Sequence, residues 1–417
     1  MSENSNEQEI QTTGSYLVLL PEDDLSSGMS ALSDSTGTTD IDDSAASNLG
    51  VAVVDLDPDQ LQSLNTAVAG SQPILAAEPE QIMYAIENIS INGEFLRGYK
   101  EGTIDAINSL TNKLQSQESN LETESSTSLF RNGANTWGLQ ATKVTESRYS
   151  GRGIKIAVLD TGMDLKHPDF ASRNIIERSF IRGEATQDAN GHGTHCIGTA
   201  CGPLNPINSS ASMRYGVAYN AEIFAGKVLS NRGSGSDRGI LAGIDWAISN
   251  GCQIISMSLG APTRRGEKFS QIYETVAKRA LAKGTLIIAA AGNESSRPSD
   301  IRPVGRPANC PSVMGVAALD SRLQIARFSC GSINPDGGGI DIAAPGVDVY
   351  SSWPTVKSPY NSINGTSMAT PHVAGIAALY AEATGKRGLE LWGTLMGDAK
   401  RLELFSTDVG IGLVQAP

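Results

Sequence analysis

The stretch GIKIAVLD, residues 153–160, decides the fold. It is a short apolar run closed by a carboxylate, too continuous for a strand with one face in water. Runs of this kind are strands covered on both faces. Four more follow: AEIFAGKVL (221–229), CQIISMSLG (252–260), GTLIIAAAGN (284–293) and SVMGVAALD (312–320). Helical patterns at about 236–249 and 269–283 fall between them. Strand alternating with helix predicts an α/β fold, a parallel sheet with helices on both sides. Ligands on such sheets sit beyond the carboxyl ends of the strands. Asp160, closing the first run, and Asn293, closing a later one, therefore belong to the functional crevice.

Upstream the pattern differs. With 417 residues there is room for two domains. SYLVLL (15–20), LGVAVVDL (49–56) and PILAAEPEQIMYAI (73–86) read as strands, and Asp57 followed by Pro58 starts a helix between the last two. The Ser-, Asp-, Thr- and Gly-rich segment 21–48 reads as a disordered loop. Residues 94–115 carry an imperfect helical stripe, and QSQESNLETESSTS (115–128) is a polar linker. The expected organisation is a disordered 1–14, a small domain over 15–93, a helix and linker over 94–128, and a second domain over 129–417.

Charge divides the chain in the same place. Residues 1–126 hold 22 acidic and 3 basic side chains, whereas the remainder holds 23 acidic and 29 basic. The acidic part is either a solvated tail or a partner that docks on the basic part. The small basic excess carries no stacking motif, which argues against a nucleic-acid role. No run of 18 apolar residues predicts a membrane span. The opening MSENSNEQEI lacks the layout of a secretory signal, which predicts a cytoplasmic protein or export by an unrecognised route. Five cysteines occur without a CxxC, against zinc-ribbon and thioredoxin-like chemistry; Cys310 and Cys330 are candidates for a pair in an oxidising compartment.

GHGTHCIGTA (191–200) holds two of the four histidines, His192 and His195, on one helical face. Spacing leaves a metal pair, a catalytic base with a structural neighbour, and ordinary helix residues all open. Serine hydrolysis would need a hydroxyl, an imidazole and an orienting carboxylate. AVLDTGMD supplies Asp160, and NGTSMATPHVAGIAALY (364–380) supplies Ser367 at the start of an apolar helix, where dipole and free N–H groups favour it. A metalloprotease reading lacks the HExxH glutamate.

These three segments, in the order Asp, His, Ser, resemble the signature segments of the subtilases, the subtilisin-like serine peptidases. The resemblance runs over about 135–417 and includes the closing DVGIGLVQA (408–416). It implies a doubly wound parallel sheet preceded by a small α+β inhibitory propeptide, and a serine endopeptidase made as a self-processing zymogen. It assigns Asp160 as orienting carboxylate, His192 as general base and Ser367 as nucleophile, with His167, His195 and His372 structural. Asn293 in AAAGNES would donate to the oxyanion, with the Ser367 N–H as second donor. Gly233, Ser234 and Gly235 on one edge and Ser258, Leu259 and Gly260 on the other would hold an extended peptide. Ala290, Ala291 and Gly292 would wall the primary pocket and Gly305 would floor it, favouring a large apolar side chain, with Glu294 at the rim able to admit a basic one. Cys196 beside the base is similar to the proteinase K-like branch. No cofactor is implied for catalysis; a structural calcium would use Asp169. The expected partners are a peptide or protein substrate and the chain's own propeptide, with self-cleavage in the polar stretch 112–136. Two alternatives share the fold: a dedicated intracellular maturation protease for one precursor peptide, and a catalytically silent peptide-binding protein.

Overall fold

The computed structural model describes residues 11–70, 73–86, 134–207 and 213–417. The helix expected at 94–115, the linker at 115–128 and most of the expected cleavage stretch lie outside them. The amino-terminal part comprises β1 (Thr12–Leu19), α1 (Leu25–Thr36), β2 (Ile41–Ala45), α2 (Ala46–Leu49), β3 (Val51–Asp55), α3 (Pro58–Ala69) and β4 (Ala76–Ala85). Its strands form an antiparallel sheet in the order β4-β1-β3-β2.

Two expectations are corrected here. Of the segment 1–14, expected to be disordered, residues 12–14 belong to β1, and Thr13 donates a hydrogen bond to Glu80. Residues 21–48 are not a disordered loop; they form α1, β2 and α2. The polar composition hides an i, i+4, i+7 stripe of Leu25, Met29 and Leu32 that packs on the sheet. Asp24 caps α1 by accepting from Ser27 N, and Gly37 ends it in the left-handed conformation. Fully buried Leu32 alone contributes about 1.5–3 kcal/mol relative to an exposed side chain. The helix after Asp57 forms as expected, with a complete Asp57–Gln60 capping box.

The second part contains α4 (Trp137–Ala141), β5 (Lys155–Asp160), β6 (Ile175–Ser179), α5 (His192–Cys201), β7 (Glu222–Lys227), β8 (Ser234–Ser236), α6 (Asp237–Ser249), β9 (Ile254–Met257), β10 (Leu259–Gly260), α7 (Gln271–Ala282), β11 (Leu286–Ala290), β12 (Met314–Leu319), β13 (Ile342–Pro345), β14 (Val349–Ser352), β15 (Tyr360–Ile363) and α8 (Thr366–Thr384). Seven of these strands make the expected parallel sheet, ordered β13-β12-β11-β9-β5-β7-β6. Alternate residues of β5 feed two cores: Ala157 and Leu159 pack with α6 and α7, Ile156 and Val158 with α5 and α8. Burial on both faces explains why GIKIAVLD is continuously apolar.

The same logic applies to the antiparallel sheet. Val18, Leu20, Ala52 and Val54 face α1 and α3, whereas Leu17, Leu19, Val51 and Val53 join the core formed with α6 and α7. The second face is thus covered by the other half of the chain. Arg279 of α7 donates to Leu49 O and Leu20 O, and Asp245 of α6 accepts from Ser47 and Asn48. Arg238 lies 3.5 Å from Asp42 and 3.4 Å from Asp55. Acidic and basic parts therefore meet, but such partly exposed pairs are worth about 0–1 kcal/mol each, less than one buried leucine or valine. Apolar burial holds the two parts together, and the charges orient them.

Among the described residues no helix is long and apolar enough to cross a membrane. All five cysteines are buried and free; Cys310 Sγ faces Ser270 O and Cys330 Sγ faces Glu294, so the candidate pair is not formed.

Candidate active site

Asp160 ends β5 at the carboxyl edge of the sheet. Its Oδ1 accepts from Thr161 N and lies 2.7 Å from His192 Nδ1. A carboxylate only accepts, so the imidazole proton sits on Nδ1 and Nε2 is left able to take another. Nε2 has no hydrogen-bond partner among the described residues, and both residues are buried. Burial alone would lower the imidazole pKa. The charge of Asp160, with its hydrogen bond and Cys196 adding to it, overcomes burial and holds the pKa well above 6.5.

His192 is the first residue of α5, and its entry turn is built by Asp188. That carboxylate accepts from Thr161 Oγ1, Asn190 N, Gly191 N and both N and Oγ1 of Thr194. Gly191 has φ +119° and lies under the Trp353 ring, which a Cβ would meet at 2.4 Å, so glycine is required there. Sequence reading missed Asp188; the clue is an aspartate three residues before a glycine, a local cap for turning N–H groups.

His195, the neighbour, points away and bonds Val349 O at 2.9 Å. Burial pushes its pKa down to about 3, and that of His372 to about 4. His167 bonds Pro359 O. The two imidazoles of GHGTHC thus have separate partners, Asp160 for His192 and Val349 O for His195.

Ser367 lies in the first turn of α8. Four residues on, Pro371 has no N–H to return to the Ser367 carbonyl. That carbonyl instead accepts from Ser258 Oγ at 2.8 Å and Cys196 Sγ at 3.6 Å, tying the helix start to the residue between β9 and β10 and to α5. The Ser367 hydroxyl donates to Ser258 O at 3.0 Å and is not bonded to His192. Cys196 stays a buried thiol, its pKa pushed up to about 11 chiefly by desolvation.

The cleft is filled by the chain's own β4. β4 pairs with β8 on one side, Met83 with Gly235 and Tyr84 with Ser234, and with β10 on the other, Ala85 with Leu259. Ala85 N donates to Gly233 O and Ile86 N to Ser258 O. Asn293 Nδ2 donates to Ile86 O at 3.0 Å, while Asn293 Oδ1 accepts from Thr366 N and Oγ1. The second expected donor, Ser367 N–H, makes no hydrogen bond to Ile86 O. Ile86 Cδ1 lies 3.0 Å from where a Gly260 Cβ would stand, so glycine makes room for this side chain. Ala290, which ends β11, and the following Ala291 and Gly292 are buried, and Gly305 N bonds Ala291 O. Glu294 accepts from Cys330 Sγ at 3.1 Å. The residue presented to Asn293 is thus Ile86, well upstream of the 112–136 stretch. Its signal, an alternating strand ending in MYAI, was legible as a strand but not as an end point.

Asp169, the residue expected to hold a calcium, accepts from Ile207 N, Tyr215 OH and Tyr360 OH among the described residues. Among the described residues the metal-ligand trio found is Asp160, His192 and Cys196, whose first two members already bond each other.

A model of the subtilase family matches residues 151–400. The chain is 38% identical over 275 residues to subtilisin DY of Bacillus licheniformis, covering 66% of this chain and 90% of that protein. It is 42% identical over 243 residues to subtilisin E of Bacillus subtilis (strain 168), covering 58% of each. It is 42% identical over 247 residues to subtilisin Savinase of Lederbergia lenta, covering 58% of this chain and 82% of that one.

Proposed function

The chain belongs to the subtilase family of serine peptidases, and from that premise we propose that it is an endopeptidase zymogen that first cuts itself between Ile86 and Glu87. The observation that carries this reading is the Ile86 carbonyl, held by Asn293 Nδ2 while its strand is clamped between β8 and β10. The segment 11–86 then acts as propeptide and occupies the cleft as a substrate would.

In the reaction, the Ser367 hydroxyl turns from Ser258 O to His192 Nε2 and its oxygen attacks the Ile86 carbonyl carbon. His192 takes the proton, Asp160 steadies the imidazolium, and Asn293 donates to the oxyanion. Collapse breaks the bond to Glu87 nitrogen, which leaves with the proton from His192. Water then hydrolyses the acyl-enzyme by the same steps, and other peptides follow the same route once the propeptide departs.

Because His192 must be neutral to act as base, and its pKa is raised, self-cleavage should fall as pH drops through a midpoint above 6.5. His195 and His372 stay neutral over that range and contribute no limb. The rate of release of the amino-terminal fragment against pH measures this. A midpoint below 6 would show that Asp160 does not set the base.

A fluorophosphonate probe tests the nucleophile. Applied to the self-processed protein, it should label Ser367, located by peptide mass mapping. A protein that cleaves peptides without labelling at Ser367 would contradict the assignment, and one that neither labels nor cleaves would be a silent peptide binder.

A further inference from the structure

β4 does not leave the peptidase surface after the four residues that line the cleft. Counting back from Ile86, the sixth residue, Gln81, donates its N–H to Asp237 Oδ2 at 2.8 Å. The seventh, Glu80, accepts from Arg238 N at 2.9 Å, in the first turn of the 13-residue α6. The ninth, Glu78, accepts from Gln271 N at 2.7 Å, Ile272 N at 3.2 Å and Ser270 Oγ at 2.6 Å, at the start of the 12-residue α7. Residues two apart on a strand share a face, so both carboxylates reach down together. Two helix starts thus lie side by side at the far end of the cleft, each supplying N–H groups and the positive end of a dipole.

A second feature points the same way. Arg306, only 6% exposed, stands between them with Nη1 3.7 Å from Glu78 Oε2, and its Nε has no partner among the described residues. Its other arm is 3.0 Å from Asp237, which also accepts from Tyr273 OH at 2.9 Å. Asp237, the anion nearest the seventh position, is thereby compensated. Once 11–86 departs, the two helix starts lose Glu80 and Glu78, and Arg306 keeps Asp237 but loses Glu78, while the cleft keeps its course. Only Thr13, which also bonds Glu80, belongs to the departing segment.

We propose that the substrate groove of the processed enzyme continues to the ninth residue before the cut and selects peptides with carboxylates at the seventh and ninth positions. This rests on the endopeptidase reading. Each carboxylate at a helix start should favour binding about two- to fivefold at low salt. The effect should fall on KM and leave kcat unchanged, because the contact is equal in ground and transition states.

Internally quenched peptides ending in Ile before the bond test it on the processed enzyme freed of its fragment. Three are compared: one with Glu at the seventh and ninth positions, one with Gln at both, and one with only four residues before the bond. In about 25 mM salt the Glu peptide should exceed the Gln peptide by roughly four- to twentyfold in kcat/KM, and about 0.5 M salt should largely erase the gap. Arg306→Met should shrink the preference on the same peptides; should that variant not fold, the peptide pair on the wild type still decides. Equal kcat/KM for Glu and Gln peptides at low salt overturns the proposal. No cleavage even of the short peptide would instead overturn the endopeptidase reading.

Discussion

Ser367→Ala should lower peptide-bond turnover by about a millionfold, the loss found in subtilisin, a relative, when nucleophile or base is removed. The hydroxyl lies in the first turn of α8, and among the described residues it donates to Ser258 O. Removing it leaves the helix anchor untouched, since Ser258 Oγ and Cys196 bond the Ser367 carbonyl, not the side chain. The fold and Tm should therefore change little while chemistry stops. The variant should also remain at full length, with Ile86 still in the cleft. Steady-state hydrolysis and intact mass check both. Cleavage of this variant in a protease-free preparation would place the cut with another agent.

Asn293→Leu should cost about a hundred- to a thousandfold in kcat with little change in KM, again by the subtilisin precedent. Nδ2 already touches the carbonyl oxygen in the ground state, at 3.0 Å, but its bond strengthens as charge develops there. Leucine also deprives Thr366 N of its acceptor at the start of α8. Asn293→Asp separates the two roles, because it keeps an acceptor for Thr366 and loses the donor. Both variants should be slow. If the leucine variant alone were slow, with the aspartate near wild type, Asn293 would act by positioning α8 and not on the oxyanion.

The parallel sheet was legible because burial on both faces writes unbroken apolar runs, and the rule that ligands sit beyond the carboxyl ends of the strands put Asp160 and Asn293 in the crevice. The pairing of Asp160 with His192 needed the motifs, since spacing treats His192 and His195 alike; only three-dimensional partners, Asp160 for one and Val349 O for the other, separate them. Residues 21–48 were misread because composition outweighed a sparse stripe whose value depends on a sheet surface to meet it. The continuous YLVLL and VAVV runs did carry information about docking: an antiparallel sheet apolar on both faces needs a second cover, and here α6 and α7 provide it. Ile86 was not legible as an end point, since nothing local marks it; its place comes from the register of β4 against β8 and β10. The tyrosine donors of Asp169 were not legible, since they come from residues 46 and 191 positions away in the chain.

The most direct test of the account is the mass of the amino-terminal fragment released by the purified wild-type protein. The register of β4 predicts that this fragment ends at Ile86 and that its partner begins, before any trimming, at Glu87. An active protein whose amino-terminal fragment ends elsewhere, above all within 112–136, would show that the strand in the cleft is not the first substrate.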